Sequence, residues 1–333
     1  DLFGVISYQA IANNGTTYEG DAYVYEGSTL TKVTDYELYG GTRPHYYAKF
    51  LPVGYGGSDA ELHAYTVHLK AGTSSASQRT YEAGLLRSYG DSLGEGAHIL
   101  YSGDFNVYGP TEGAYTTMLS SGDGQALDPV TFRTWDKSRH TQDPTGNMDD
   151  RFDFQFVSEE LDDDEGLSLL SYRAFGNNGT HDMDAAINTG TWPGYTPGEK
   201  DSATLNALTA ASDHLPVVAD YQIPAKMSVS VSTPPMEMIV GAAAGVDVTV
   251  SNVAPVSVAA GADELDYEMT TTGDLSGSAS GSDLADGAGQ VHAATLSTSA
   301  AGARSGQVQV ASDSQAVANG SFIETVPDRK SVV

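Results

Sequence analysis

The spacing of apolar residues predicts strands and helices over the first two thirds of the chain. Between Ser77 and Leu93 an apolar residue recurs every four positions, which predicts one amphipathic helix with Ser or Thr candidates for its cap. Its apolar residues are Tyr81, Leu85, Tyr89 and Leu93. Alternating or continuous apolar runs predict strands at residues 62–69, 98–102, 151–158, 167–175 and 215–223. Strands that dominate, with helices between some of them, favour an α/β sandwich of two sheets flanked by helices.

The composition changes near residues 223–226, and the pattern after them predicts a second, all-β domain. Ala, Gly, Ser, Thr and Val replace the aromatic residues, and short alternating runs recur at a spacing of roughly ten residues. These runs are residues 227–232, 246–253, 265–271, 290–297 and 306–311. We interpret residues 1–223 as the first domain and residues 227–327 as an immunoglobulin-like β-sandwich, an accessory module.

The charge balance limits the partners that the chain can have. Its 333 residues include 16 Lys and Arg against 44 Asp and Glu, a net charge of −28. Such a balance is typical of a well-solvated surface in a salty or extracellular setting, so we expect a secreted protein. It argues against tight non-specific binding to nucleic acid, which depends on Lys and Arg. A polyanionic substrate is compatible with it where metal ions supply the local positive charge.

The sequence lacks cysteine and long apolar runs, and both features limit the kinds of site and segment that we expect. The sequence contains no cysteine, which excludes disulfides and thiolate metal sites. It has no run of about 18 apolar residues, so we expect no transmembrane segment.

Two polar motifs at strand ends carry the candidate chemistry. Asp213 and His214 precede the last predicted strand of the first domain. Asp104 and Asn106 follow a predicted buried strand. A carboxylate can hold a hard cation and an imidazole can move a proton near neutral pH, so the motifs favour metal-assisted hydrolysis of a phosphate ester. Each motif by itself is equally typical of a capped turn.

Asp153 adds a third position, because it lies in a strand that is otherwise aromatic. Phe152, Phe154 and Phe156 alternate with polar residues there. Burial of an unpaired carboxylate costs several kcal/mol, so Asp153 needs a partner. His214 is the candidate, since a carboxylate would orient its ring and raise its basicity. We interpret three further histidines as structural: His45 and His63 as residues of strand-like segments and His140 as a loop residue, with substrate contact as the alternative for His140.

The order of these positions resembles the endonuclease/exonuclease/phosphatase superfamily, which includes deoxyribonuclease I, abasic-site endonucleases, sphingomyelinases and inositol-polyphosphate phosphatases. Four blocks carry the resemblance: VHLKAG at residues 67–72, SGDFN at 102–106, RFDFQFVS at 151–158 and SDHLPV at 212–217. Thr42-Arg43-Pro44 is similar to the family's arginine-containing segment. The resemblance covers residues 21–222 and is specific because the blocks keep their order and strand context.

The resemblance implies a fold and a set of metal-binding and basic residues. The fold would be a four-layer α/β sandwich like that of deoxyribonuclease I. His214, oriented by Asp153, would be the general base that activates water. Asp213 and Asp104 would bind a divalent cation, Mg²⁺ given the oxygen ligands, with Mn²⁺ or Ca²⁺ as alternatives.

The resemblance also implies which residues meet the phosphate. His68 would stabilise charge on the phosphoryl oxygens, and Asp104 with Asn106 would orient the water and hold the phosphate. Arg43 would contact a substrate phosphate through its planar fork. The implied activity is that of a metal-dependent phosphodiesterase on DNA or RNA. A phospholipid or an inositol or sugar phosphate as substrate, and a non-catalytic extracellular binding protein, are the alternatives.

The sequence departs from the family at its start. The family has two earlier strands, one with an Asn and the next with a Glu that is the principal metal ligand, and neither block is found here. We therefore expect a domain that lacks its first strands, binds Mg²⁺ weakly and is inactive as written. Residues 328–333 do not continue the strand pattern, and we expect them to be a non-native tail.

Overall fold

The computed structural model describes residues 21–129, 140–177, 179, 185–189 and 201–332, which fall into two units. The first unit contains the chain up to Val53, Glu61–Asp163 and Leu169–Tyr221. The second unit contains Gly54–Ala60, Asp164–Ser168 and the chain from Gln222 onward.

Five strands form the main sheet of the first unit and lie in it in chain order. They are β1 (Leu30–Leu38), β2 (His45–Pro52), β3 (Leu62–His68), β4 (His98–Asp104) and β5 (Asp153–Val157). The pair β3–β4 is parallel and the other neighbours are antiparallel. A second sheet pairs β6 (Ser168–Ala174) with β7 (Val217–Gln222). The strands predicted for this unit correspond to β3–β7 and are confirmed, whereas β1 was not predicted and β2 only in that His45 was placed on a strand-like segment.

The described part of the first unit has three α-helices: α1 (Ala76–Asp91), α2 (Gly113–Met118) and α3 (Ser202–Ala211). In the described ranges no helix has the length and apolarity needed to cross a bilayer. The helix α1 confirms the predicted helix.

The predicted apolar face of α1 is only partly the buried one, because Tyr89 and Leu93 are partly buried and pack against the core whereas Tyr81 does not. Tyr81 is 56 % exposed. The buried positions are Arg79, Glu82, Ala83, Leu86, Arg87 and Gly90. Charged side chains can face the interior here because backbone groups of neighbouring loops satisfy them. Arg87, for example, donates from Nη1 to the carbonyl oxygens of Met118 and Ser120, at 2.7 Å each.

The main sheet is covered on both faces. On one face, Leu86 of α1 and Met118 of α2 share a core with the buried aromatic residues of β3, β4 and β5. On the other face, Gln155 donates from Nε2 to Val217 O of β7, and Tyr221 Oη donates to Gln155 Oε1, both at 3.0 Å. The layers therefore run from helices to main sheet to second sheet. This agrees with an α/β sandwich, and the four-layer arrangement like that of deoxyribonuclease I stays a prediction.

A buried ion pair fixes the start of β5. Arg151 is 2 % exposed, and its Nη1 and Nη2 donate to the two carboxylate oxygens of Asp128 at 2.7 and 2.8 Å. Tyr115 Oη donates to Asp128 at 2.8 Å, and the guanidinium lies 4.2 Å above the ring of Phe154. Two parallel hydrogen bonds to one carboxylate hold the arginine in a single orientation.

The second unit contains two sheets that share one hydrophobic core. Its strands are β8 (Met227–Val231), β9 (Glu237–Ile239), β10 (Gly245–Asn252), β11 (Leu265–Gly273), β12 (Leu275–Ser276), β13 (Ala279–Asp283), β14 (Gln290–Leu296), β15 (Gly302–Ser312) and β16 (Ser321–Val332). The sheet orders are β12-β14-β10-β8 and β13-β11-β15-β16-β9. Alternate residues point inward, as Val246, Val248 and Val250 of β10 do. The predicted strands are confirmed, and the immunoglobulin-like identity of this unit stays a prediction.

The end of the chain corrects one expectation. The strand pattern was predicted to end before residue 328, but β16 continues through Val332. Arg329 is the partner of Arg304 in β15, and Lys330 is the parallel partner of Glu237 in β9. Backbone pairing on both sides extends the strand although apolar and polar residue types do not alternate along it there. That residues 328–333 are non-native stays a prediction.

Loss of the buried arginine should destabilise the first unit strongly. In Arg151→Met the carboxylate of Asp128 stays buried without its cation, so we expect the free energy of unfolding to fall by about 3–5 kcal/mol. Urea unfolding followed by circular dichroism measures this. The control is Arg173→Met, which removes an exposed pair with Asp220 and should change the free energy of unfolding by at most about 1 kcal/mol. Equal effects of the two substitutions would contradict the role given to Arg151.

Candidate active site

Strand register brings three of the predicted residues into one row. His68 is the partner of Asp104 in the parallel pair β3–β4, and Asp104 is the partner of Asp153 in the antiparallel pair β4–β5. Residues directly opposite each other on neighbouring strands point to the same face of a sheet. His68, Asp104 and Asp153 therefore lie side by side where β3 and β4 end and β5 begins. We call these three residues the polar row.

The turn after β4 holds Asp104 and Asn106 together. The N–H and the Nδ2 of Asn106 donate to Oδ1 and Oδ2 of Asp104, at 2.8 Å each. Asn106 has a left-handed φ of 49°, which asparagine tolerates. Gly103 has a φ of 129°, and a Cβ on it would clash with the carbonyl oxygen of Val67 in β3. The close approach of β3 thus requires glycine at position 103, and Asp104 and Asn106 supply the polar groups of the turn.

A short stretch of backbone pairing places His214 at the end of the polar row. Residues 141–143 pair with residues 213–215 through two backbone hydrogen bonds of 2.8 Å. The hydroxyl Oγ1 of Thr141 accepts the backbone N–H of Asp153 at 3.2 Å. One segment therefore connects the start of β5 to the loop that carries His214.

The predicted contact between Asp153 and His214 is present. His214 Nδ1 lies 2.7 Å from Asp153 Oδ2. Because an ionised carboxylate only accepts hydrogen bonds, the proton sits on Nδ1 and Nε2 is the basic atom of the neutral ring. Burial disfavours the imidazolium, but the hydrogen bond and charge of Asp153, with the charges of Asp104 and Asp213, raise the pKa of His214 to about 9. Burial raises the pKa of Asp153, and its bond to His214 opposes this.

Asp21 belongs to the same neighbourhood and was missed by sequence analysis. Its Oδ2 is buried and has no hydrogen-bond partner among the described residues. Burial raises the pKa of Asp21 to about 6; His68 and Arg43 oppose this rise, and Asp104 adds to it. His68 Nε2 itself lies 3.2 Å from Asp104 Oδ2. The available signal was an acid at the head of an alternating aromatic segment, residues 21–25.

Arg43 lies on the loop between β1 and β2 and donates to a backbone oxygen that directly follows the polar row. Its Nη1 donates to Leu69 O at 3.0 Å. Asn106 Nδ2 donates to the same carbonyl at 3.2 Å. Leu69 directly follows His68, so the structure brings Arg43, His68 and Asn106 together, as the resemblance implied.

The two predicted metal ligands do not form part of a complete metal shell. Asp213 is exposed, and the carboxylate of Asp104 is bonded to Asn106. Within the described ranges, no three or more His, Asp or Glu side chains are grouped so that they could hold a metal ion. The carboxylates are the ligand type that Mg²⁺ prefers, but these residues alone do not make a cage for it.

The three histidines interpreted as structural from the sequence, His45, His63 and His140, lie outside the polar row. His63 Nδ1 lies 2.8 Å from Tyr47 Oη, and His140 Nδ1 lies 2.9 Å from Met148 O. These contacts support a structural interpretation of both. His45 is 2 % exposed, and in the part of the chain that the structure describes neither of its ring nitrogens has a hydrogen-bond partner.

Comparisons with known proteins give only weak likenesses. No family model matches the sequence, and a search of curated proteins finds no match. Among solved structures, humanized D. rerio TDP2 is 14 % identical with a TM-score of 0.38, over 59 % of this chain and 69 % of that one. A mannosyl-6-phosphatase of Bacteroides thetaiotaomicron is 18 % identical with a TM-score of 0.36, over 59 % and 68 %. The human Nocturnin catalytic domain is 16 % identical with a TM-score of 0.34, over 44 % and 52 %. Likenesses at this level carry no argument about function.

The pairing of Asp153 with His214 predicts a measurable titration. In the metal-free protein we expect His214 to titrate with a pKa of about 9. Asp153→Asn removes the charge that stabilises the imidazolium, so the pKa of His214 should fall. The pair stabilises the folded chain fully below the unfolded pKa of about 6.5, and this contribution is lost as the pH rises through about 9.

Proton NMR of the histidine ring signals measures this, with His214→Gln to assign the signal. The His292 signal from the second unit is the internal control and should be unchanged by Asp153→Asn. A His214 pKa at or below its ordinary value in the wild-type protein would show that the pair does not form in solution.

Proposed function

We propose that this protein is a metal-dependent phosphoric-ester hydrolase, a nuclease-like phosphodiesterase of the endonuclease/exonuclease/phosphatase kind. The observation that carries the proposal is the polar row with His214 bonded to its end. A buried carboxylate on an imidazole, beside a second carboxylate and a second imidazole, combines a base with groups that can meet a phosphate. The sequence resemblance supports the same reaction.

In the proposed reaction the neutral form of His214 is the general base, so the rate should rise as the pH rises toward the pKa of His214, about 9 in the metal-free protein. Asp153 holds the Nδ1–H and so directs the basic Nε2 toward the attacking water. As the proton moves to Nε2, the charge of Asp153 stabilises the imidazolium that forms. The row places Asp104 next to this pair, where its carboxylate, held by Asn106, would orient the water.

The other end of the row would meet the phosphate. His68, when protonated, and Asn106 Nδ2 are hydrogen-bond donors close to Asp104. Arg43 supplies a permanent positive charge from the neighbouring loop, and a guanidinium fits phosphate oxygens with two parallel hydrogen bonds. These groups would stabilise the charge that develops on the phosphoryl oxygens in the transition state.

The acidity of the site supports Mg²⁺ as cofactor, with Mn²⁺ or Ca²⁺ as alternatives. Asp104 and Asp153 belong to the row and Asp21 and Asp213 lie near it, so a phosphate would be repelled unless a cation offset their charge. A bound divalent cation would supply Lewis-acid stabilisation of the leaving oxygen. Because the described carboxylates do not complete a shell, water and substrate oxygens would supply the remaining ligands, as is usual for Mg²⁺.

The net charge of the chain affects which substrates it attracts and supports a proposal about where the protein is located. Nucleic acid is the first substrate class, by the resemblance. The net charge of −28 weakens attraction to a polyanion, so phospholipid head groups and sugar phosphates form the second class. The same acidic surface supports the proposal that the protein is secreted.

The proposal predicts phosphodiester hydrolysis that needs both metal and His214. Although a domain without the family's Glu was expected to be inactive, the proposal predicts slow turnover of bis-p-nitrophenyl phosphate at a large excess of Mg²⁺ or Mn²⁺, where weak metal binding is overcome, and loss of this turnover with EDTA. Removal of the general base in His214→Ala should lower kcat by about 10³-fold. Plasmid DNA, sphingomyelin and inositol phosphates, tested under the same conditions, separate the substrate classes.

The matched control is His292→Ala, which removes a histidine bonded to Tyr267 in the second unit and should leave the rate unchanged. Full activity of His214→Ala would reject the assigned mechanism. Absence of turnover for every ester and metal would reject the enzyme and favour a non-catalytic extracellular binding protein.

A further inference from the structure

The inner face of α1 carries charged side chains that the proposed reaction does not use. Arg79 and Glu82 are both fully buried. The two residues lie about one helical turn apart, and both face the loops that carry the residues proposed to bind phosphate. A buried charge is costly unless it is fully paired and hydrogen-bonded, so each of these residues needs specific partners in the fold.

Glu82 binds two separate loops. Its Oε1 accepts the backbone N–H of Thr42 at 2.7 Å, and its Oε2 accepts the backbone N–H of Lys70 at 2.9 Å. Thr42 precedes Arg43 directly, and Lys70 lies two residues after His68. One carboxylate on α1 therefore holds the backbone beside both residues proposed to meet the phosphate. These bonds, with one from Gln78 Nε2 at 3.1 Å, lower the pKa of Glu82 against the effect of burial, so it stays ionised.

Arg79 secures the same loop from the other side. Its Nη1 donates to the carbonyl oxygens of Lys70 and Gly72, at 2.8 Å each. Its Nε and Nη2 donate to the two carboxylate oxygens of Glu112, at 2.6 and 2.9 Å. In the loop after β3, Glu82 therefore accepts a backbone N–H and Arg79 donates to two carbonyl oxygens. These bonds restrict the conformation of the loop backbone.

The loop that carries Arg43 is packed against the same helix. A Cβ on Gly40, which has a φ of +113°, would lie 2.8 Å from Leu85 Cδ1 of α1. A Cβ on Gly41 would lie 2.6 Å from Nε2 of His45, whose ring fills the inside of the loop. Burial lowers the pKa of His45, so this ring adds no charge at neutral pH. Gly40 is therefore required by its positive φ, and Gly41 because a Cβ there would also lie 2.9 Å from the backbone oxygen of Arg43, so the loop has little freedom where it meets α1.

We propose that Glu82 is a positioning residue that sets Arg43 and His68 as a preorganised phosphate-binding pair. This rests on the proposed function for the identity of the ligand, a phosphate group. Among the described contacts Glu82 forms no hydrogen bond with Arg43 or His68; it fixes Thr42 and Lys70, and these fix the directions from which the guanidinium and the imidazole leave the backbone. Arg43 Nη1 then reaches Leu69 O, and Arg43 and Leu69 each adjoin one of the anchored residues. Preorganisation of this kind improves binding and rate because the groups need not be ordered when the ligand arrives.

The test is Glu82→Gln, with two readouts. The amide keeps the shape of the side chain, but its NH₂ group faces a backbone N–H, so one of the two loops loses its anchor. We expect KM for a phosphodiester to rise about tenfold or more, with a fall in kcat, because displaced phosphate contacts weaken both binding and the transition state. Independently of turnover, inorganic phosphate added to the protein in excess Mg²⁺ should shift the His68 ring signal in NMR, with about tenfold weaker affinity in Glu82→Gln.

The matched control is Asp91→Asn on the same helix. Asp91 also accepts a backbone N–H, from Gly124 at 2.8 Å, and pairs with an arginine, Arg87, but these contacts lie away from Arg43 and His68. Both substitutions should lower the melting temperature, and only Glu82→Gln should change KM and phosphate affinity. Should Glu82→Gln not fold, Glu82→Asp retains the charge, retracts it by one methylene and should give a smaller change in the same direction.

The outcomes separate this proposal from the proposed function. If the wild-type protein binds phosphate but hydrolyses no ester, the hydrolase proposal fails while the phosphate readout still tests Glu82. If Glu82→Gln binds phosphate and turns over substrate like the wild-type protein, at a temperature where both are folded, Glu82 is not a positioning residue. The same changes in Asp91→Asn would also overturn the proposal, since they would reflect general destabilisation. Absence of phosphate binding by the wild-type protein would overturn the Arg43–His68 pair itself.

Discussion

The candidate site depends on the register of three neighbouring strands. The pairing of β3, β4 and β5 sets His68, Asp104 and Asp153 side by side, and His214 completes the row through one hydrogen bond of 2.7 Å. A slip of one residue would turn every side chain of a strand to the opposite face. The buried aromatic residues of β4 and β5 prevent such a slip, because it would bring them out of the core that they share with α1 and α2. The apolar residues that stabilise the sheet therefore also determine where the polar groups meet.

Buried charged residues of α1 stabilise the loops next to the polar row. The helix α1 buries charged residues where an amphipathic helix would ordinarily bury apolar ones, and each is hydrogen-bonded to loop backbone or paired with an opposite charge, although Arg87 Nε has no hydrogen-bond partner among the described residues. Glu82 and Arg79 hold the loops that carry the proposed phosphate-binding residues, and Arg87 holds the segment after α2. The polar row itself carries an excess of carboxylates. A site of this sign can receive a phosphate only with a cation present, which is why the proposed reaction is a metal-dependent one.

Much of the first unit could be predicted from the sequence, because β3 to β7 and α1 follow clear apolar patterns. The strand β1 could not, since most of its side chains are exposed and give no alternation. The charged residues on the buried face of α1 were missed because their partners are backbone groups distant in sequence, such as that of Thr42 for Glu82. The motifs identified His214 and Asp153 and their contact. Asp21 was missed because it precedes the first strand and its environment is created only by the folded chain. The register of the row is likewise a property of pairing between strands, which a single sequence does not display.

The central claim is that Asp153 and His214 act as one unit in phosphodiester hydrolysis, and a double-mutant cycle tests it most directly. The quantity to measure is kcat/KM for one phosphodiester in the wild-type protein, Asp153→Asn, His214→Ala and the double variant. Residues that act only together give non-additive losses. We therefore expect the double variant to be about as slow as His214→Ala alone. If the two losses multiply instead, the residues contribute independently, and the bonded pair is not the base that drives the reaction.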